Sequence, residues 1–222
     1  MKNFKSLFLL LVSVLVSSAA LTSCNSDTED YSIPYDKQMY YQSVMSGSYS
    51  GKLFFLQGHD RTEAKLDTIG EPSQSSWRVG SQDSSLVIRN FPINRLDSAI
   101  NVPSSDNTSD ANTLRELRTA ISQLSPQDVK CKYYVPGTDV VSTTSYGFYV
   151  NPYAIEKQVA FGGELHKVYF FFYNNYYGGR FDFSERYFRF NVVLGAIQID
   201  NSKSYDYTSP YFRRIYIICN DK

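Results

Sequence analysis

Tyr187 to Asp200 reads YFRFNVVLGAIQID, and its apolar residues change phase part-way along. Phe188, Phe190, Val192 and Leu194 share one parity; Ile197 and Ile199 share the other. Side chains of a strand alternate between faces, so a one-residue slip is what keeps both sets in a core. Gly195 sits at the switch, which predicts a bulge or bend there. On its N-terminal side, Asn174, Asn175, Gly178 and Gly179 signal a loop, after which Phe181 and Phe183 start a return strand. His166 to Tyr173 is apolar or aromatic on both faces and predicts a central strand covered on both sides. On its C-terminal side, Tyr211 to Cys219 forms the last strand.

The same alternation recurs upstream. Val129, Cys131, Tyr133 and Val135 point one way within Gln127 to Val135, while Lys130, Lys132 and Tyr134 point the other. Tyr146, Phe148 and Val150 mark a further strand. Gly47 to Leu56 (GSYSGKLFFL) places Tyr49, Gly51, Leu53 and Phe55 on one face. Trp77 and Val79 mark another strand, and Leu86 and Ile88, within Ser85 to Asn90, another that Pro92 ends. Between them lies one helical stripe, Leu114, Leu117, Ile121 and Leu124 within Thr113 to Leu124. Ser109, Asp110 and Asn112 are capping types near its start, and Pro126 stops it. About eight strands and one amphipathic helix predict a mostly β protein, an antiparallel barrel or sandwich. Of the 19 tyrosines, 14 lie from Tyr133 onward, which suits β structure.

The N-terminus carries an address. Lys2 and Lys5 precede an apolar run from Leu7 to Val16 and the small residues Ser17, Ser18, Ala19 and Ala20. The run is too short for a comfortable permanent span and reads as a signal peptide over residues 1–23. Leu21-Thr-Ser-Cys24 resembles the bacterial lipobox, which implies lipidation of Cys24 and a membrane anchor. Residues 24–44 follow as an acidic and polar tether opening with Asn25 to Asp30. That run is similar to the export signal of surface lipoproteins in the Bacteroidetes group and implies an outer-membrane, cell-surface position. Residues 45–222 form a single β-rich domain. The chain of 222 residues carries 22 basic and 22 acidic side chains; removing residues 1–23 takes two lysines and leaves a net charge of −2. Basic residues are scattered, which argues against nucleic acid as a partner.

The GSYSG strand opening at Gly47 and the LVIRNFP run at Leu86 to Pro92 resemble segments of uncharacterised calycin-like, lipocalin-like lipoproteins of gut Bacteroidetes. The resemblance implies a calycin-like barrel and carries no activity with it. Lipocalins have Gly-x-Trp in the first strand, whereas the aromatic here is Tyr49.

Chemistry-bearing patterns are sparse. His59 and His166 lack metal-ligand spacing, and no nucleophile elbow or phosphate loop occurs, so no metal, cofactor or catalytic residue is expected. Glu164, Asp182 and Glu185 offer carboxylates for glycoside hydrolysis, but Arg180 and Arg186 supply a salt-bridge explanation. Cys131 and Cys219 are expected in a compartment that permits a disulfide between them. Asp67-Thr68-Ile69 and Asp97-Ser98-Ala99 resemble short O-glycosylation acceptors of the same bacterial group. Tyr173, Tyr176, Tyr177 and Arg180, around Asn174 and Asn175, form the candidate binding group, suited to a glycan or an envelope protein. The expected role is therefore non-catalytic binding, of a small ligand in the barrel or of a glycan or protein at the loops. The alternatives are an accessory subunit of an outer-membrane complex and a glycan-acting hydrolase.

Overall fold

The computed structural model describes residues 35–58, 65–135, 144–173 and 178–221. Their alternating segments become strands β1 (Gly47–Gly58), β2 (Leu66–Thr68), β3 (Ser73–Val79), β4 (Ser85–Phe91), β5 (Gln127–Tyr134) and β6 (Ser145–Pro152). These are followed by β7 (Ile155–Phe161), β8 (Glu164–Tyr173), β9 (Gly179–Asp182), β10 (Tyr187–Ile199), β11 (Lys203–Asp206) and β12 (Ile215–Asn220). The helices are α1 (Tyr35–Met45), a 3-10 helix (Ile93–Ala99) and α2 (Ser109–Ser122). Strands β1, β3, β4, β5, β6, β9, β10 and β12 follow one another in chain order around a closed antiparallel barrel, with β12 pairing to both β1 and β10. Closure in an up-and-down order removes the exposed edges that a sandwich of these strands would keep.

Strand β10 belongs to two structures. Its first half pairs with β9 and β12 in the barrel wall, and its second half with β8 and β11 in an outer sheet that β7 extends. The register slips between Leu194 and Ala196, which is the bulge predicted at Gly195. Because of that slip, Phe188, Phe190, Val192 and Leu194 are buried, and so are Ile197 and Ile199 of the opposite parity, all in one hydrophobic core. Strands β8 and β9 both run antiparallel to β10 and do not pair with each other. The predicted hairpin is therefore a single interrupted line, with β10 as the return strand for both parts.

Aromatic rings occupy the barrel. Phe188 touches Tyr49 and Phe148 with ring centroids 4.7 Å apart in each case, and Trp77 meets Phe190 edge-on at 5.5 Å. Three inward tyrosines direct their hydroxyls to backbone carbonyls: Tyr49 donates to Met45 (2.7 Å), Tyr133 to Gly80 (2.9 Å) and Tyr146 to Tyr41 (3.2 Å). Burial raises the pKa of all three above the ordinary phenol value. Two of these bonds hold α1 across one mouth of the barrel, where Met45 is fully buried. The tether thus gives way to structured chain before residue 44. At the opposite end, the 3-10 helix buries Ile93, Leu96 and Ala99, spaced at its own period of three.

Cys131 and Cys219 are both free and buried. The bridge that the sequence allowed is not formed, because β5 and β12 lie diametrically opposite in the eight-strand circuit. A disulfide needs α-carbons within about 7 Å. Burial instead holds both thiols protonated, far above the ordinary cysteine value.

Helix α2 starts earlier than its apolar stripe. Thr108 caps it by accepting from the Ala111 N–H (3.3 Å), and Ala111, Leu114, Leu117 and Ile121 are buried. Leu124 lies past its end and is half-buried. The helix lies against β7 and the 3-10 helix. Leu117→Ala is expected to cost about 2–5 kcal/mol, read as a lowered denaturant midpoint, because the side chain is wholly enclosed. An unchanged midpoint would mean that α2 does not cover the core.

Candidate functional site

Strand β8 (ELHKVYFFFY) is apolar on both faces, yet only one face is covered. His166, Val168, Phe170 and Phe172 share the inner face, where Val168 and Phe170 are buried in the core and Phe172 meets Phe91 edge-on at 6.5 Å. Leu165, Lys167, Tyr169, Phe171 and Tyr173 turn outward, where Leu165, Phe171 and Tyr173 are 65%, 37% and 41% exposed. The expectation of a strand covered on both sides is corrected here: Val168 and Phe170 are buried in the hydrophobic core on one side, while Leu165, Phe171 and Tyr173 stay exposed on the other.

The outward residues form an ordered surface. Tyr169 and Phe171 lie nearly parallel, at 22° with centroids 6.2 Å apart. Tyr173 lies over Gly195, where a Cβ would come within 2.2 Å of its ring. The bare backbone at the bulge is thus a seat for the tyrosine, an arrangement that also protects the glycine from water. Arg214 places its guanidinium 6.0 Å from the Tyr173 ring and 5.2 Å from that of Tyr207. Planar cations stack favourably on such rings. Tyr207 stands on the turn after β11, fixed where the Thr208 N–H and hydroxyl donate to Asp206 (2.8 and 2.6 Å).

Of the candidate binding group, Tyr173 lies in this surface. Tyr176 and Tyr177 lie outside the described residues, as do Cys24 and His59. Arg180 is exposed on β9 opposite Arg189, whereas Tyr173 is opposite Val193. The two are therefore about four residues, or ~13 Å, apart along β10. Sequence reasoning missed Phe171, Tyr207 and Arg214. The alternation within β8 contained Phe171, but nothing local ties the latter two to it.

The carboxylates are not arranged as a pair. Glu164 opens β8 and Asp182 closes β9, at opposite ends of the collinear run. Asp182 accepts from the Ser184 N–H and hydroxyl and from the Glu185 N–H, bonds that hold its pKa below the ordinary carboxylate value. Arg186 donates to Ser46 O and to the Tyr49 hydroxyl, and the Arg180 charge helps to lower the Asp182 pKa. His166 Nδ1 lies 2.6 Å from Asp200, which also accepts from the Lys167 N–H, and its ring stacks on Phe161 at 4.2 Å. The hydrogen bond from His166 is the main cause that lowers the Asp200 pKa. The pair ties β8 to the turn after β10. No group of three potential metal ligands occurs among the described residues. Of the two acceptor-like triplets, Thr68 is exposed on β2, and Ser98 is half-buried with its hydroxyl donated to Asp97.

The profile of a domain of unknown function, DUF4840, matches residues 44–199, from the end of α1 through the whole of β10. The chain belongs to the DUF4840 family. No curated protein and no solved structure matches it. The match to DUF4840 spans seven of the eight barrel strands and the exposed face of β8, and stops before Tyr207, Arg214 and β12.

Proposed function

We propose that this DUF4840 chain is a lipid-anchored envelope protein with a non-catalytic binding role, held at the outer membrane through Cys24 and facing the cell exterior. It binds a glycan through the outward face of β8, together with Tyr207 and Arg214. One observation carries the reading: a row of aromatic side chains stays exposed on rigid sheet, beside a barrel already occupied by its own rings. Flat aromatic faces suit the C–H face of a sugar ring, and Arg214 adds donors at their edge. The occupied interior favours an external site over a small ligand in the barrel. It also keeps the accessory-subunit reading in play, since Tyr and Arg are the side chains that anchor protein contacts.

The test uses the full-length protein and a Phe171→Ala, Tyr207→Ala double variant in affinity electrophoresis through gels that contain polysaccharides. Retardation of the parent and its loss in the variant are expected, with melting temperatures nearly equal because both side chains are exposed. Co-purification of an outer-membrane protein that the variant loses, without any glycan retardation, would replace this reading with the accessory one. Cys24→Ala is expected to abolish fatty-acid labelling in cells, and a variant still labelled would refute the anchor.

A further inference from the structure

On the outer wall of the barrel, one row of side chains runs across four strands. Arg180 on β9 is directly opposite Arg189 on β10, Arg189 is opposite Asn220 on β12, and Asn220 is opposite Lys52 on β1. Gly147 on β6 flanks Arg180 on its other side and leaves that end of the row open. The three cations are exposed. Like charges directly opposite on neighbouring strands repel and destabilise a sheet. Neither arginine has an ion-pair partner among the described residues. Asp182, two residues from Arg180 on β9, feels the Arg180 charge, and its carboxylate accepts hydrogen bonds from Ser184 and Glu185. A chain with nearly balanced charge has therefore set two guanidinium groups against each other at one place.

We propose that the Arg180–Arg189 pair is an anion clamp and that the glycan of the β8 face is an acidic polysaccharide, whose carboxylates the pair holds. The inference rests on the glycan-binding reading of that face. Guanidinium groups match carboxylates with two parallel hydrogen bonds, and an anion between two of them turns their repulsion into attraction. The Arg180–Arg189 pair stands exposed on the outside of the barrel, where a polymer can lie along β10. From Arg189 the aromatic surface begins about 13 Å along β10, a distance that a few sugar units span. Asn191, half-buried on β10, lies between the two. Nucleic acid is the competing polyanion, and the near-neutral chain lacks the broad basic field that attracts it.

Affinity electrophoresis of the full-length protein tests the clamp with polygalacturonate, alginate and hyaluronate, each beside its carboxyl-reduced neutral form. A single-stranded oligonucleotide is the control. At least one acidic polymer is expected to bind about tenfold or more tightly than its neutral counterpart. Arg180→Gln and Arg189→Gln should each remove most of that difference, Arg180→Lys should restore part of it, and Phe171→Ala should weaken both forms. Equal affinity for acidic and neutral forms, untouched by the arginine variants, would overturn the clamp and leave the glycan reading standing. No retardation by any of the six polymers would remove both. Equal binding of the oligonucleotide would reduce the row to unspecific charge and overturn the clamp. Both arginines are exposed, and melting temperatures check that the variants remain folded.

Discussion

Phe188→Ala is expected to destabilise the protein by about 3–5 kcal/mol, at the upper end of the usual range for a buried phenylalanine. The side chain is fully enclosed and sits at the hub of the barrel's ring cluster. It meets Tyr49, Phe148, Phe181 and Phe190 at 4.7, 4.7, 5.7 and 5.8 Å, and Trp77 at 6.4 Å. Tyr49, Trp77 and Phe148 come from β1, β3 and β6, strands that do not pair with β10, so the ring joins walls that share no hydrogen bond with its own strand. Truncation leaves a cavity that strands fixed by closure cannot collapse to fill. Each aromatic contact adds to the loss beyond the area term. Urea unfolding of the variant measures the effect. A loss below about 1 kcal/mol would mean that the barrel does not depend on this cluster.

Gly51→Ala is expected to cost a comparable amount, about 3 kcal/mol or more, by a different route. An added Cβ would lie 2.0 Å from the carbonyl oxygen of Asn220 and 2.6 Å from the α-carbon of Asp221. Both neighbours are backbone, so no rotamer relieves the overlap. The end of β12 must lift from β1, and β12 is the strand that closes the barrel. Asp221 accepts from the Phe188 N–H at 2.9 Å, and that bond would be lost with it. Amide exchange is expected to quicken first at the β1–β12 pairing. Unchanged protection there would show that the strand end accommodates the methyl group.

The phase change at Gly195 was legible because it is written in residue types alone: only a slip in register turns both apolar sets inward. The same holds for β5, whose cysteine and valines alternate with lysines, and for the Leu114–Ile121 stripe. Strand β8 was misread for an equally physical reason. Apolar side chains on two faces show what a strand could bury, not whether a layer exists to bury it, and only the face of Val168 and Phe170 is enclosed. The loop signals from Asn174 to Gly179 suit a hairpin or an interruption equally, and β10 decides between them by pairing with both β8 and β9. Helix α1 was absorbed into the tether because its contacts are long-range, Tyr41 against Tyr146 among them.

The proposed binding surface was legible in part. Tyr173 and Arg180 carried the right chemistry, but their grouping assumed that nearness in sequence meant nearness in space. Register separates them along β10 and gives each a new neighbour: Gly195, Arg214 and Tyr207 for the tyrosine, Arg189 for the arginine. None of those pairings follows from local pattern, since each depends on which residues closure sets side by side.

If the barrel is filled and the proposed binding takes place on its outside, no ligand should reach its interior. The single tryptophan tests it most directly. Trp77 is 1% exposed inside the barrel, against Phe190 and Phe188. Its fluorescence therefore reports on the interior alone. Titration of the full-length protein with a long-chain fatty acid is expected to leave a blue-shifted emission unchanged and shielded from acrylamide. A bound polysaccharide should leave it unchanged as well. A saturable shift or quenching by the fatty acid would show that the interior admits a ligand, and would contradict the account.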